Sequence, residues 1–451
     1  MNFLENIGLP QSSQNIELLS YLTLLTLVIL LPYLGLLFGS TILSIMFNRK
    51  GRVYKNNIYI KFSKDLIDLI TVNKSSAVAL GLSPILSMAF ILAQLMQGSG
   101  SDITGDIIFS LFLLLSAIIA IYTFKGSFKL SSVANLCASD RWNDETLKDN
   151  FDFYKKTNSK FVLLSGFYGF IILSFSIYVF IAAFNFASNS AKWGSNISMS
   201  ELLFSPENII SFISFASLSL VITAVMVLYK LFKPESQNAK IETDYSKYVR
   251  KFSLNTAIIF TIAQPILYAV SLMSIPKVAL NNSIFLISMA IIFFLLILTI
   301  MFYYMIKESH LKYRGNALFI ILILFLLISI KEQVAFDTSS QLQNEKIAAN
   351  YLEHKNALME KLGVSVEAIS GEEIFKGRCA ECHSFDTKIV GPPYKETLVK
   401  YDGNIEGLAE FIHNPQKINP EFPPMPNQGL KLSEAKAVAE YIANTYSEKY
   451  K

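Results

Sequence analysis

Residues 18–47 run without a single charged side chain. In hydrocarbon, backbone N–H and C=O groups find no water, so a chain crossing it must satisfy them internally, as an α-helix does. About twenty apolar residues span a bilayer, and a longer run spans it with tilt. Further apolar stretches follow at about 76–97, 105–124, 160–187, 208–232, 253–275, 283–306 and 316–331, the last being the shortest. An all-α fold is therefore expected, with a polytopic transmembrane helical bundle of about eight spans over residues 1–331. A hydrophobic content of 52% against 16% charged residues fits that class and argues against a large soluble enzyme. Residues 1–17 contain neither Lys nor Arg, so no cleavable signal peptide is expected there.

The loops carry an orientation. Alternate loops, at 48–75, 125–160, 230–252 and 307–315, hold 23 Lys and Arg residues between them, from Arg49 to Arg314. The opposite side has only Lys192 and Lys277. Basic loops stay cytoplasmic, so the N-terminus is expected outside, and eight spans return the C-terminal region to the same side. In a bacterium this is the multi-pass topology of an inner-membrane protein whose last domain faces the periplasm.

Chemistry in the membrane half is sparse. The spans show no Asp, Glu, Lys or Arg at mid-span, the residues that mark proton relays and ion paths. A haem b in a bundle needs facing histidines, and of His310, His354, His383 and His413 only His310 falls in this half, at a cytoplasmic helix end. No haem b is expected. Gln264-Pro265 should kink the sixth span, either to shape a quinone or lipid pocket or simply to pack, with Gln264 bonding across to a neighbouring helix.

Beyond the spans, residues 332–368 read as an extracytoplasmic helical linker, with an imperfect apolar stripe through Ile347, Tyr351, Leu352, Leu358 and Leu362. Then comes Cys379-Ala380-Glu381-Cys382-His383. C-x-x-C-H is the attachment motif of a c-type haem, in which two thiols form thioethers to the porphyrin and the histidine ligates the iron. Half of a zinc site is the competing reading. The only other cysteine, Cys137, lies more than two hundred residues upstream, which disfavours it. Two cysteines three apart on one helical turn reach two vinyl groups, and the next residue then faces the metal. The best candidate for the second axial ligand is Met425, in Phe422-Pro423-Pro424-Met425-Pro426, and a thioether there raises the reduction potential.

These residues make the tail, about 369–451, resemble a class I monohaem cytochrome c. In that family a first helix ends in the attachment motif, here Gly371 to Cys379, and a Gly-Pro buttresses the histidine, here Gly391-Pro392. A methionine in a proline-rich loop and a last helix crossing the first complete the pattern, the latter here from Ser433 to about Tyr446. The resemblance implies a Pro392 carbonyl accepting the His383 ring N–H, aromatic packing of Phe375 on Tyr441, one covalent haem c, and His383 and Met425 as iron ligands. A helical bundle ending in a monohaem cytochrome is also similar in architecture to membrane-bound urate oxidases and cytochrome bd-like fusions. The histidine ligands of the bd-type oxidases are absent, so their activity does not carry over, and the membrane half stands without a family.

Three functions are compatible with this. The first is an electron-transfer subunit of a respiratory complex, passing single electrons through haem c between other integral subunits and a periplasmic acceptor, a soluble cytochrome c or a terminal oxidase. The second is a quinol-oxidising enzyme with a fused cytochrome, weakened by the lack of a second cofactor to take quinol's second electron. The third is a redox-sensing scaffold or transporter. Surrounding lipid is implied by the spans, and no nucleic-acid partner is expected.

Overall fold

The computed structural model describes residues 11–450 other than 72, 102, 138–144, 195–200, 202, 233–243, 309–310, 362–369, 402–403 and 418–421. Trp142 and His310 lie outside the described residues. Two compact units divide the chain, Met1–Leu352 and Glu353–Lys451. Among the described residues both are helical, without strands.

In the first unit the order is α1 (Ser13–Val53), α2 (Asn57–Ile70), α3 (Lys74–Leu95, with a π turn at Val78–Leu82), α4 (Ile103–Cys137), α5 (Glu145–Ala187), α6 (Pro206–Leu231), α7 (Asp244–Met273), α8 (Asn282–Lys307) and α9 (Arg314–Lys361), the last nine residues of α9 falling in the second unit. All except α2 contain segments long and apolar enough to cross a membrane, eight in number, as the hydropathy pattern predicts. Polar caps start several of them. Ser12 Oγ accepts from the Asn15 N–H, and Asn281 Oδ1 accepts from the Ile284 N–H at 3.0 Å, each satisfying a donor that a helix start leaves free.

The central helix is α1, 61% buried over its most apolar window against 28% for α7 and α8. Between apolar helices in lipid the attraction comes from close packing and shared hydrogen bonds rather than from water expulsion. Small residues allow the approach. A methyl group on Gly39 of α1 would lie 2.2 Å from Thr223 Oγ1 and 2.4 Å from the Ser219 carbonyl of α6, so these two backbones touch. Reciprocal serine bonds tie other pairs. Ser110 Oγ donates to the Ser176 carbonyl at 2.9 Å and Ser176 Oγ to the Ser110 carbonyl at 2.8 Å, joining α4 to α5. Ser44 and Ser63 do the same between α1 and α2. Gln264 Nε2 donates to the Ser214 carbonyl of α6 at 3.1 Å, the bond across to a neighbouring helix that the packing reading requires.

The long loops at 48–75 and 125–160 are largely helical. Helix α2 buries Phe62, Leu66 and Ile67, with Phe62 4.8 Å from Phe47 between ring centroids, while α4 and α5 extend the neighbouring spans. One expectation changes: the segment 332–368 does not begin as a separate linker. Helix α9 continues unbroken from Arg314 to Lys361, past the point where the apolar run stops. Consequently Lys331, at the edge of the eighth apolar stretch, is buried within the bundle at 5% exposure. Its ammonium meets the Glu332 carboxylate at 2.6 Å. One turn on, Asp337 accepts from Ser20 Oγ at 2.8 Å and from Gln333 Nε2 at 2.9 Å. The apolar run ends here because charges enter, but those charges are paired, so the helix has no cause to stop. The absence of charge inside the bundle, read from the sequence, therefore does not hold at this end.

The second unit contains α10 (Gly371–Ile374) running into a π turn (Phe375–Cys379), then α11 (Tyr394–Thr397), α12 (Ile405–His413) and α13 (Leu432–Tyr450). Its core is Phe375, Leu398, Leu408, Ile412, Leu430, Val438 and Ile442, with Cys379 among them. Burying each large side chain of this kind stabilises by about 1.5–3 kcal/mol.

Candidate haem-attachment site

The site is assembled where α10 crosses α13. Ser370 caps α10, its Oγ accepting from the Glu373 N–H at 3.1 Å. A methyl group on Gly371 would stand 2.0 Å from the Ala437 carbonyl, so only glycine lets the two backbones approach this closely. One turn later Phe375 packs on Tyr441, ring centroids 5.5 Å apart, as the resemblance implies. That crossing fixes the helical end bearing Cys379, which is buried, and Cys382, which is partly exposed; both thiols are free. Burial, reinforced by the neighbouring Cys382, pushes the Cys379 thiol above its usual pKa, so it stays protonated at neutral pH.

After Cys382 the chain folds back beneath its own motif. The Gly391 N–H donates to the Cys382 carbonyl at 2.8 Å and the Val390 N–H to the same oxygen at 3.2 Å. This brings the Pro392 carbonyl 3.2 Å from His383 Nδ1. With Nδ1–H given to that carbonyl, Nε2 is the nitrogen left to bind a metal. Gly391 lies directly against the imidazole. A methyl group there would sit 2.3 Å from Cε1, 2.7 Å from Nδ1 and 2.8 Å from Nε2. On another side Tyr394 stacks against His383, centroids 5.2 Å apart and planes 27° from parallel. Burial raises the Tyr394 phenol above its ordinary pKa, so it is neutral.

Met425 is half-buried in the irregular segment between α12 and α13. Three contacts locate that segment. Lys388, after the motif, sits 4.4 Å from the centroid of Phe422 at its start. Arg378, inside the attachment turn, donates to the Gln428 carbonyl at 2.7 Å. His413 of α12, exposed at the surface, has Nδ1 2.8 Å from the Leu430 carbonyl. Gly429, with φ of +64°, turns the segment between the last two anchors. The methionine loop is thus tied at both ends to the neighbourhood of the C-x-x-C-H turn.

The donor set fits a covalently attached c-type haem. Two free thiols stand three residues apart on one turn, an imidazole is fixed through Nδ1, and a glycine leaves it the room it occupies. Cys379, Cys382, His383, Gly391 and Pro392 are brought together; Met425 is carried on a loop anchored to the same turn. Sequence reasoning missed Arg378, Lys388 and Tyr394. Arg378 and Tyr394 had a signal, since one lies within the attachment turn and the other directly follows Gly391-Pro392-Pro393. Nothing in the sequence pairs Lys388 with Phe422.

Comparison with known proteins agrees. The cytochrome c family model matches residues 368–445. Cytochrome c-551 of Pseudomonas denitrificans is 39% identical over 77 residues, 16% of this chain and 94% of that protein. Cytochrome c-551 of Azotobacter vinelandii is 37% identical over 78 residues, with the same coverage of 16% and 94%. Cytochrome c-551 of Stutzerimonas stutzeri is 40% identical over 80 residues, 17% of this chain and 76% of that protein. The chain belongs to the cytochrome c family, its C-terminal residues forming a class I monohaem cytochrome c domain that implies covalent haem c and electron transfer.

Proposed function

We propose that this protein is a membrane-integral c-type cytochrome, a subunit of a respiratory electron-transfer complex in a bacterial inner membrane. It carries one haem c and no haem b. The observation behind the reading is the imidazole of His383, held by the Pro392 carbonyl at 3.2 Å with Gly391 packed against its ring beside two free thiols.

When bound, the haem supplies a single reversible electron at its iron. Cys379 and Cys382 would fix the porphyrin by thioethers. His383 would ligate the iron through Nε2, its ring orientation set by the Pro392 carbonyl. Met425 would supply a thioether ligand, favouring the ferrous state. The ring of Tyr394 packs on His383, and Arg378 and Lys388 hold the methionine segment in place.

Loop charge and haem chemistry both favour a periplasmic domain, because the 23 basic loop residues lie on the side opposite the two others. Partners in this reading are other integral subunits, and a soluble cytochrome c or terminal oxidase as acceptor. Eight membrane-length helices exceed what anchoring one small domain needs, which supports docking to further membrane proteins. The test is a pyridine haemochrome spectrum of the pure chain with a protein determination. One c-type haem per chain is expected, and a b-type band or a second haem would overturn the assignment.

A further inference from the structure

Buried Lys331 and its partner Glu332, whose side chain is partly exposed, border a cavity of about 100 Å³ in the bundle. A charge inside a membrane span is costly and ordinarily marks function. Two charges placed only to hold helices together would be enclosed by packing, whereas these two line a void.

The void is two-ended. Lys331, Glu332 and Asn185 line its polar part, and Leu31, Phe215 and Phe325 its apolar part. Phe325 precedes Lys331 by six residues on α9, about 9 Å along the helix axis. Tyr268 closes the polar part. Its ring centroid lies 5.7 Å from the Lys331 ammonium, and its hydroxyl is 3.2 Å from Ser288 Oγ. Gln264-Pro265 stands one turn before Tyr268 on α7, and the Gln264 amide holds the Ser214 carbonyl on the opposing wall. A second void of about 40 Å³ shares Lys331, Glu332 and Asn185 with the first. Together they approach the ~150 Å³ that accommodates one benzene ring in a protein interior.

We propose that this cavity binds the head of a lipid-soluble quinone or quinol, with its ring between Lys331 and the aromatic wall. Three features select that chemistry. An ammonium and a carboxylate side by side offer a donor to a carbonyl oxygen and an acceptor to a hydroxyl, which suits a neutral ring bearing both in its two oxidation states. The pair sums to zero charge, and Glu332 repels an anion, so a phosphate headgroup is disfavoured. The space takes a single flat ring, and Phe215 and Phe325 offer it apolar faces. The proposal rests on the electron-transfer reading only in choosing a redox-active ring over an inert one.

The experiment measures binding and not haem reduction, so its failure is distinct from failure of the haem assignment. Full-length protein in lipid vesicles is labelled with a photoreactive decyl-benzoquinone, and the labelled peptides are mapped by mass spectrometry. Saturable labelling of peptides from α6, α7 or α9, displaced by unlabelled decyl-benzoquinone, is expected. Lys331→Met and Glu332→Gln should each weaken it at least tenfold. Leu218→Phe, which fills the cavity wall and leaves the ion pair intact, should do the same, so a folding defect in either charge variant does not block the test. Labelling spread evenly over the lipid-facing helices, equal labelling of all variants, or equal displacement by a decyl phosphocholine would overturn the proposal.

Discussion

Replacing Gly391 by alanine tests the geometry of the haem-attachment site most directly. The added methyl would stand 2.3 Å from His383 Cε1, whereas ordinary contact begins near 3.4 Å. Either the imidazole or the 390–392 backbone must therefore retreat by about 1 Å, the same displacement that the bond to the Pro392 carbonyl, already 3.2 Å long, cannot absorb. Overpacking of this kind costs about 1–3 kcal/mol. For a domain of this size each kcal/mol lowers the midpoint by about 4–8 °C. Loss of the bond that orients a metal-bound histidine costs a further ~10–100-fold in metal affinity or function. The assay is thermal and urea unfolding of the haem-loaded chain, with the haem absorption band as probe and the reduction potential measured alongside. A lower midpoint and an altered potential are expected together. A variant that unfolds like the parent, with an unchanged potential and imidazole signals, would refute the claim that Gly391 holds the space for the ring.

Met425→Ala should abolish the near-infrared sulfur-to-iron absorption and lower the potential, because thioether ligation favours ferrous iron; an unchanged spectrum would assign the sixth position to another residue. Asp386, between the motif and Gly391, accepts from the Lys449 ammonium and the Tyr450 hydroxyl of α13, and these hold its carboxyl below the ordinary value. Its contribution is therefore complete above the ordinary carboxylate pKa, about 4, and is lost as pH falls through the lowered one. Asp386→Asn should remove that contribution at neutral pH, lowering the unfolding midpoint slightly there, and flatten the decline below about pH 4, so that acid titrations of the two proteins' unfolding midpoints converge at low pH.

The haem-attachment site was legible in the sequence because its parts are local. Cys379, Cys382 and His383 lie on one turn, and Gly391-Pro392 sits eight and nine residues beyond the histidine. Short-range backbone bonds, such as Gly391 N–H to the Cys382 carbonyl, are enough to close that loop. What was not legible depends on long-range contact. Arg378 reaching the Gln428 carbonyl joins positions fifty residues apart, and His413 reaching Leu430 uses a ring nitrogen that exposure alone does not explain. Eight spans were readable from composition, since lipid leaves the chain few alternatives to helix.

The eighth span, found where the sequence placed it, is the more instructive case. An apolar run ends where a charge appears, but a helix ends where its backbone bonds find no successor, and the two criteria separate when charges are paired. Lys331 with Glu332, and Asp337 with Ser20 and Gln333, satisfy one another at 2.6 to 2.9 Å within the bundle, so the interior tolerates them and α9 runs on to Lys361. Hydropathy scores each residue alone and counts every charge as expelled. The partners come from Ser20, more than three hundred positions away, and from Tyr268 on another helix, which no local window contains. A polar end to the eighth helix therefore marks where the bundle turns from a lipid-facing wall to a chamber with an ion pair in it. Lys331, at the edge of the apolar run, is the trace it leaves in the sequence, and only the contacts with Glu332 and Tyr268 show that this charge stays within the bundle.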